Sequence, residues 1–393
     1  MEYIEAVNAF IKEVADKNYN YIYKNGHATA GVNGPYRFVD TPVRNSGHWL
    51  IIASYLWKVT REEKYKKLAF CMAEYLVSEQ KKTVSGAIEC MTGERFDHLN
   101  GLIGQAWTIE SLVYAYEVFN RSDYLDTAVE IFFSQSFDES SCLWERLEIN
   151  GENIGFDYTL NHQVWFACAG LMILDNLEND RIHREVYRFL ERLDERYFDV
   201  YSNGLIKHYG TMKNPQIRPL SFQIKRVIKD WFVPLRRKDP NRFDSKVLEK
   251  GYHLFELYGY AVIHQYYPDY ALFKKEKFSK ALRYGLDLKT LNRIFNIKPV
   301  LDGADDGLTR MNKFAYAYNS PAFEYPLIEY SFTGCIDESA ANELLRIQKK
   351  LTYNDLTGKL DRFNYDPETL TARMYECIRL CDLLKKEKVN PPI

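Results

Sequence analysis

The strongest constraint in this sequence is a helical hydrophobic pattern that comes in pairs along the chain. In each pair the first segment is apolar on all faces, and the second carries Lys, Arg and Glu at helical spacing. A helix that is apolar all round packs inside a protein, whereas a helix with a charged face lies outside. The inner segments begin near residues 48, 101, 162, 252 and 323, and this uneven spacing excludes a fixed-period solenoid.

A first helix at residues 3–17 and a last one at residues 368–384 bring the prediction to twelve helices. Twelve helices that alternate between inside and outside predict an all-α fold, an (α/α)6 toroid, with an open helical array as the alternative. We expect residues 1–393 to form this toroid as a single domain. A small β-hairpin is predicted at its rim, because Asn150-Gly151 lies within an alternating pattern that is typical of a type I′ turn.

Two long segments interrupt the helical pattern. Residues 199–250 form a basic insertion, and its part from residue 225 to 250 holds nine Lys or Arg against four Asp or Glu. One interpretation is a solvated linker; the other is an arm that presents basic side chains to an anionic substrate, a second copy of the chain or a partner enzyme. Residues 289–321 form a rim loop with Asp302, Asp305 and Asp306. It is interpreted as a solvated acidic loop or, alternatively, as a metal or substrate site.

Composition and missing motifs exclude several function classes. With a formal net charge of −2, the chain as a whole lacks the excess of positive charge that is typical of nucleic-acid-binding proteins. The longest apolar run, residues 164–174, is shorter than the ~20 residues that a membrane span requires. The first residues show no signal peptide, and seven scattered cysteines favour reduced thiols, so we expect a cytoplasmic protein. Phosphate-binding glycine loops and a nucleophile elbow are absent from the sequence, and we predict no cofactor.

Polar and aromatic residues gather where the inner helices begin. In an alternating toroid all inner helices run the same way, so their N-termini meet at one end of the central cavity. Aromatic faces suit sugar rings, and inward helix N-termini favour an anionic ligand. Helix caps and core packing are the structural alternative. The residues predicted to bind substrate are His48, Trp49, Gln105, Trp107, Asn161, Trp165, Glu256, Arg310, Tyr318 and Asn319.

Proton transfer is the chemistry that these helix starts favour. Histidine exchanges protons near neutral pH, and a carboxyl group in a dry cavity acquires a raised pKa. Epimerisation needs two such groups on opposite sides of a sugar ring, whereas glycoside hydrolysis needs two carboxylates flanking the bond. Glu256, Glu324 and the three aspartates of the rim loop are available for hydrolysis. The residues predicted to be catalytic are His98, His162, Tyr252, His253 and Glu324.

One stretch resembles a known group of enzymes. Residues 101–116, GLIGQAWTIESLVYAY, are similar to an inner helix of the six-hairpin carbohydrate enzymes: the N-acylglucosamine 2-epimerases, unsaturated glucuronyl hydrolases and glucuronyl epimerases. Tyr252-His253 resembles a Tyr-His pair of the glucuronyl epimerases, and residues 318–324 resemble helical-barrel proteins of surface-polysaccharide gene clusters. The resemblance implies a toroid and a sugar ligand. The histidine motifs of the 2-epimerases and the aspartate motif of the hydrolases are not found, so the reaction stays open.

These observations favour an enzyme that modifies a uronate-containing or other anionic saccharide, with epimerisation as the first hypothesis. Hydrolysis or elimination on uronic oligosaccharides is the alternative reaction. A glycan-binding or scaffold toroid without catalysis, which docks a partner enzyme through residues 225–250, is the alternative from another class.

Overall fold

The computed structural model describes residues 2–93, 97–208, 245–295 and 311–389, and most of them are helical. The helices are α1 (Glu2–Asn25), α2 (Val43–Thr60), α3 (Glu63–Gln80), α4 (Gly101–Phe119), α5 (Ser122–Ser134), α6 (Leu160–Leu174), α7 (Asp180–Arg192), α8 (Ser245–Tyr266), α9 (Glu276–Leu286), α10 (Leu288–Phe295), α11 (Pro321–Thr333), α12 (Glu338–Thr352), α13 (Pro367–Ala372) and α14 (Glu376–Val389). Short 3-10 turns lie at Gly34–Tyr36, Ala271–Lys274 and Arg373–Tyr375, and a π turn follows α7 at Leu193–Tyr197.

The inner helices form a closed ring. Helices α2, α4, α6, α8, α11 and α14 each pack against the next, and α13 with the turn Arg373–Tyr375 packs on α2 and completes the circle. Helices α3, α5, α7, α9 and α12 lie outside, each against the inner helix that precedes it, and α1 packs on α12 and α2. The predicted (α/α)6 toroid is therefore confirmed over the described ranges.

The difference between inner and outer helices follows from their sequences. From residue 101 to 115, α4 has a single charged side chain, Glu110, and this carboxylate is paired with Arg379 of α14 at 2.6 Å. Helix α7 instead buries one stripe, Ile182, Val186 and Phe189, and its other faces carry charged residues. An all-round apolar helix loses least by being enclosed, so α4 lies in the inner ring and α7 outside it.

The predicted rim hairpin is present, but its turn differs from the prediction. Strands β1 (Phe137–Asp138), β2 (Leu143–Leu147) and β3 (Asn153–Phe156) form an antiparallel sheet in that order, and β4 (Tyr353–Asn354) pairs with β5 (Lys359–Leu360). The Gly151 amide donates to the Glu148 carbonyl at 2.8 Å, and Gly151 has φ +86° whereas Asn150 is not left-handed. A type I′ turn needs positive φ at both central residues, so a three-residue connection with a glycine bulge replaces it.

Some predicted features lie outside the described residues. These are Arg310, residues 302–306 of the rim loop, and the basic insertion from residue 209 to 244. Among the helices that the structure does describe, none combines the length and the apolar character needed to cross a bilayer. All seven cysteines fall within the described ranges, and each is a free thiol.

Candidate active site

A histidine and an aspartate are joined at the mouth, the end of the ring where the inner helices begin. His162, in the first turn of α6, places Nδ1 2.7 Å from Oδ2 of Asp157, and the same oxygen accepts the Leu102 amide of α4 at 3.1 Å. Burial raises the pKa of Asp157, but the contact with His162 and the charge of Arg146 outweigh it and lower that pKa to about 2. An ionised Asp157 keeps the shared proton on Nδ1 and leaves Nε2 of His162 for a ligand.

The rim hairpin supplies a second histidine–carboxylate pair next to the first. Nδ1 of His98 lies 2.8 Å from Oε1 of Glu148, in the hairpin turn, and Arg146 of β2 bonds Asp97 at 3.1 Å. Asp97 also accepts the Gly101 amide at 2.5 Å. Asp97 and Asp157 thus bind consecutive amides at the start of α4, so two carboxylates flank one helix N-terminus.

A third pair lies on the α8 side of the mouth. Nδ1 of His208 is 2.7 Å from Oε1 of Glu256, and the His208 carbonyl accepts the Leu160 amide at the start of α6. Glu256 is fully buried, and burial raises its pKa despite the bond from His208. Tyr252 lies beside this pair, with its ring 6.2 Å from that of His208, and burial raises its pKa as well.

The deeper wall of the mouth is cationic and aromatic. The guanidinium of Arg44 lies 3.9 Å above the Trp107 ring and donates to the Tyr318 hydroxyl at 2.7 Å. His48 stacks on Tyr375 at 4.3 Å and meets Trp107 edge-on. Burial, Arg44 and a second arginine lower the pKa of His48, and neither ring nitrogen has a hydrogen-bond partner among the described residues.

A buried ionic group joins α11 to α14 below this wall. Arg373 bonds Glu324 at 2.5 Å and Glu376 at 2.8 Å, and it donates to the Tyr318 carbonyl at 2.7 Å. Burial outweighs the attraction of Arg373 and raises the pKa of Glu324 to about 8. The raised pKa favours the protonated form of Glu324, which lies enclosed in the ring wall.

Several residues predicted to form the site are buried, and some of them bond the backbone. Gln105 bonds the backbone of Ile88 and Leu99, which fixes the loop before α4. His253 accepts the Ile206 amide and bonds the Ala281 carbonyl, and burial lowers its pKa to about 4, so both ring nitrogens are engaged. Trp49 and Trp165 are buried in the core, where the Trp165 ring stacks on Phe255. Asn161 and Asn319 are also buried, and the side-chain oxygen of each lacks a hydrogen-bond partner among the described residues.

Sequence reasoning missed several residues of this arrangement, among them Asp157, Arg373, Asp97 and His208. Asp157 precedes His162 by five positions, and that spacing is a usable local signal. Arg373 is a lone charge in the apolar stretch before α14, which signals a buried ion pair. Asp97 lies four positions before Gly101, the first residue of α4, whereas His208 gives no local signal because only the path of the chain brings it beside Glu256.

The fold is shared with proteins that act on sugars. The chain is similar to the cellobiose 2-epimerase of Bacillus thermoamylovorans, with TM-score 0.57 and 12% identity over 94% of this chain and 99% of that one. For a D-mannose isomerase the TM-score is 0.58 and the identity 12%, over 96% of this chain and 98% of that one. For the unsaturated glucuronyl hydrolase of Bacillus sp. GL1 the TM-score is 0.56 and the identity 10%, over 96% of each chain. The protein is thus an (α/α)6 toroid of the six-hairpin class.

No family model matches the chain. A curated protein matches it along nearly its whole length: archaeal glycosylation protein Q of Haloferax volcanii, 31% identical over 369 residues, which span 91% of this chain and 92% of that protein. The chain belongs to the archaeal glycosylation protein Q family.

Proposed function

We propose that this protein is a carbohydrate-active enzyme that transfers protons on a sugar ring, with epimerisation as its reaction. One observation carries the proposal: His98, His162 and His208 each bond a carboxylate through Nδ1, at 2.7–2.8 Å, around the same mouth. A carboxylate at Nδ1 fixes the ring orientation and stabilises the imidazolium that forms when Nε2 takes a proton.

The proposed reaction removes a proton from a ring carbon next to a carboxylate. Nε2 of His162 takes the proton, and the electron pair of the broken C–H bond moves onto the neighbouring carboxylate as an enolate. A proton returns to the opposite face from the His208–Glu256 side, which inverts that carbon. Such an inversion requires two proton-transfer groups that face opposite sides of the sugar ring.

Arg146 favours an acidic sugar as substrate. Its side chain is 31% exposed, and one of its nitrogens bonds Asp97 while its charge also acts on Asp157. A guanidinium with remaining N–H groups suits a carboxylate. Membership in a glycosylation protein family agrees with a glycan substrate, and we place the reaction in glycan assembly in the cytoplasm, where free thiols persist.

The test is solvent exchange in deuterated water. Incubation with a glucuronate-containing oligosaccharide is expected to place deuterium at the inverted carbon, measured by NMR, with the number of reducing ends unchanged. His162→Asn should abolish exchange, whereas His183→Ala, on the exposed side of α7, should not affect it. Exchange that persists in His162→Asn would exclude the proposed base.

A hydrolase is the second candidate, because Asp97 and Asp157 bind consecutive amides of α4 and form a carboxylate pair. Glycoside cleavage needs two carboxylates, one as acid and one as base or nucleophile. New reducing ends that disappear in Asp97→Asn, without deuterium in the sugar ring, would favour this reaction. New ultraviolet absorbance would instead indicate elimination.

The basic part of the insertion, residues 225–250, is proposed to contact an anionic glycan or a partner enzyme. Replacing Arg236, Arg237 and Lys238 together by Glu should reduce that binding, measured with immobilised protein. If the variant binds the glycan and the partner enzyme as the wild type does, the insertion has no such contact. A protein that binds glycan without catalysing any reaction on it would support the scaffold hypothesis.

A further inference from the structure

The loop before α2 is held in place on both sides. Asp366 accepts the amides of Val32 and Gly34 at 3.1 and 2.9 Å, and the Thr92 amide donates to the Val39 carbonyl at 3.0 Å. A side chain at Gly34 would lie 2.5 Å from the Tyr318 ring, so the loop backbone packs directly on the mouth. These contacts fix the position of residues 33–38 relative to the candidate site.

The loop contains backbone strain that its anchors must offset. Asn33 and Arg37 have φ of +51° and +57°, on either side of the turn Gly34–Tyr36. Left-handed backbone at residues other than glycine costs of the order of 1 kcal/mol each and persists only where surrounding contacts maintain it. The contacts around residues 33–38 therefore hold this loop in one defined conformation at the rim.

This loop carries aromatic rings to the surface beside the site. Tyr36 is 43% exposed, and its ring lies parallel to that of Phe38, at 6° and 6.4 Å. The Tyr36 ring is also 6.3 Å from Tyr252, which in turn adjoins His208. Exposed aromatic surface that is continuous with a binding site is a feature of ligand recognition.

We propose that Tyr36 and Phe38, the rim platform, bind a sugar ring that follows the reacting sugar in an oligosaccharide. The inference rests on the proposed function, and it specifies the substrate as a chain of at least two sugars instead of a free monosaccharide. An aromatic face covers the apolar C–H face of a sugar ring, and the neighbouring Tyr252 connects the platform to the His208–Glu256 pair.

The test compares two probes, D-glucuronate and a tetrasaccharide with one terminal glucuronate and three neutral sugars. Their dissociation constants are measured by calorimetry, and bound protons are mapped by saturation-transfer NMR. Tyr36→Leu and Phe38→Leu should weaken tetrasaccharide binding about three- to tenfold and leave glucuronate binding unchanged. Tyr36→Phe, which retains the ring, should weaken tetrasaccharide binding less than Tyr36→Leu does.

Tyr21→Leu is the matched control, because Tyr21 is 55% exposed on α1 and its ring lies against Lys359 instead of against the aromatic rings of the loop. Equal losses of affinity for both probes, or no loss of affinity in Tyr36→Leu, would overturn the rim platform. Deuterium exchange into the sugar that depends on His162 would still support the proposed function in that case. Absence of both binding and exchange in the wild type would overturn both inferences together.

Discussion

One oxygen of Asp157 bonds both the His162 imidazole, at 2.7 Å, and the Leu102 amide, at 3.1 Å. This carboxylate therefore fixes His162, the proposed base of α6, against the N-terminus of α4. The helix dipole favours its negative charge, and that charge in turn determines which nitrogen of His162 carries the proton. Asp157 therefore sets both the position of the His162 ring and its protonation state.

Asp157→Asn should reduce turnover by about 10²- to 10⁴-fold, the range expected for loss of a general base. The amide can donate to Nδ1, which moves the proton of His162 to Nε2 and removes its basic nitrogen. Turnover is measured by deuterium incorporation, and thermal unfolding checks that the fold is retained. Wild-type turnover in a folded Asp157→Asn protein would contradict the assignment.

Gly101→Ala should disrupt the same pair from the backbone side. Gly101 has φ +60°, and an added Cβ would lie 2.3 Å from Asp157 Oδ2 and 2.8 Å from His162 Nδ1. We expect activity to fall at least tenfold. Gly151→Ala is the control: it also has positive φ, but nothing lies within 4 Å, so it should cost about 1 kcal/mol of stability and no activity.

Arg373→Met should lower the free energy of unfolding by about 3–5 kcal/mol, because it leaves the buried carboxyl groups of Glu324 and Glu376 without their cation. Glu324→Gln should cost less than about 1 kcal/mol, since the amide resembles the protonated carboxyl and keeps an acceptor. Denaturant unfolding measures both variants. Equal losses would show that Glu324 is ionised in the folded protein.

Acid should destabilise the fold through His253. Its pKa falls from 6.5 to about 4 on burial, so the unfolded chain binds more protons below neutrality. The contribution to stability is present above pH 6.5 and is lost as the pH falls towards 4, by about 3 kcal/mol in all. The fall in unfolding free energy between these pH values should be smaller in His253→Gln by about that amount. If the unfolding free energy fell equally in the wild type and in His253→Gln, the pKa of His253 would not be the cause.

Arg146→Met should weaken binding of an acidic sugar more than that of a neutral one. The partly exposed guanidinium is the proposed carboxylate contact, and a charge-assisted hydrogen bond contributes about 1.5–3 kcal/mol. We expect KM for the glucuronate-containing substrate to rise at least tenfold. Binding of the corresponding glucose-containing oligosaccharide, measured by calorimetry, should change less than threefold, and equal effects would exclude this contact.

The ring could be predicted from sequence because its cause is local. Helix α4 is apolar on all faces and α7 is not, and that contrast along the chain is enough to separate inside from outside. The hairpin was likewise signalled by Asn150-Gly151. Its turn type was not, because the register of β2 and β3 shifts near Leu147 and adds a residue to the connection.

The candidate site was predictable only in part, because its pairs form between distant segments. His98 and His162 were found from their place at helix starts, whereas their carboxylate partners follow from contacts across 50 and 5 positions. His253 shares the same local pattern, yet its ring bonds two backbone groups. A histidine at a helix start therefore indicates a position near the mouth without indicating what its nitrogens contact.

Closure of the ring by α13 and α14 also sets the order in which the site is made during synthesis. The chain grows from its N-terminus, so His48 and Trp107 emerge long before Tyr375, the ring on which His48 stacks. A nascent chain that ends before residue 367 has an open gap between α11 and α2. The proposed sugar site is thus completed only after residues 367–389 have been synthesised, and a truncation before them would open the ring.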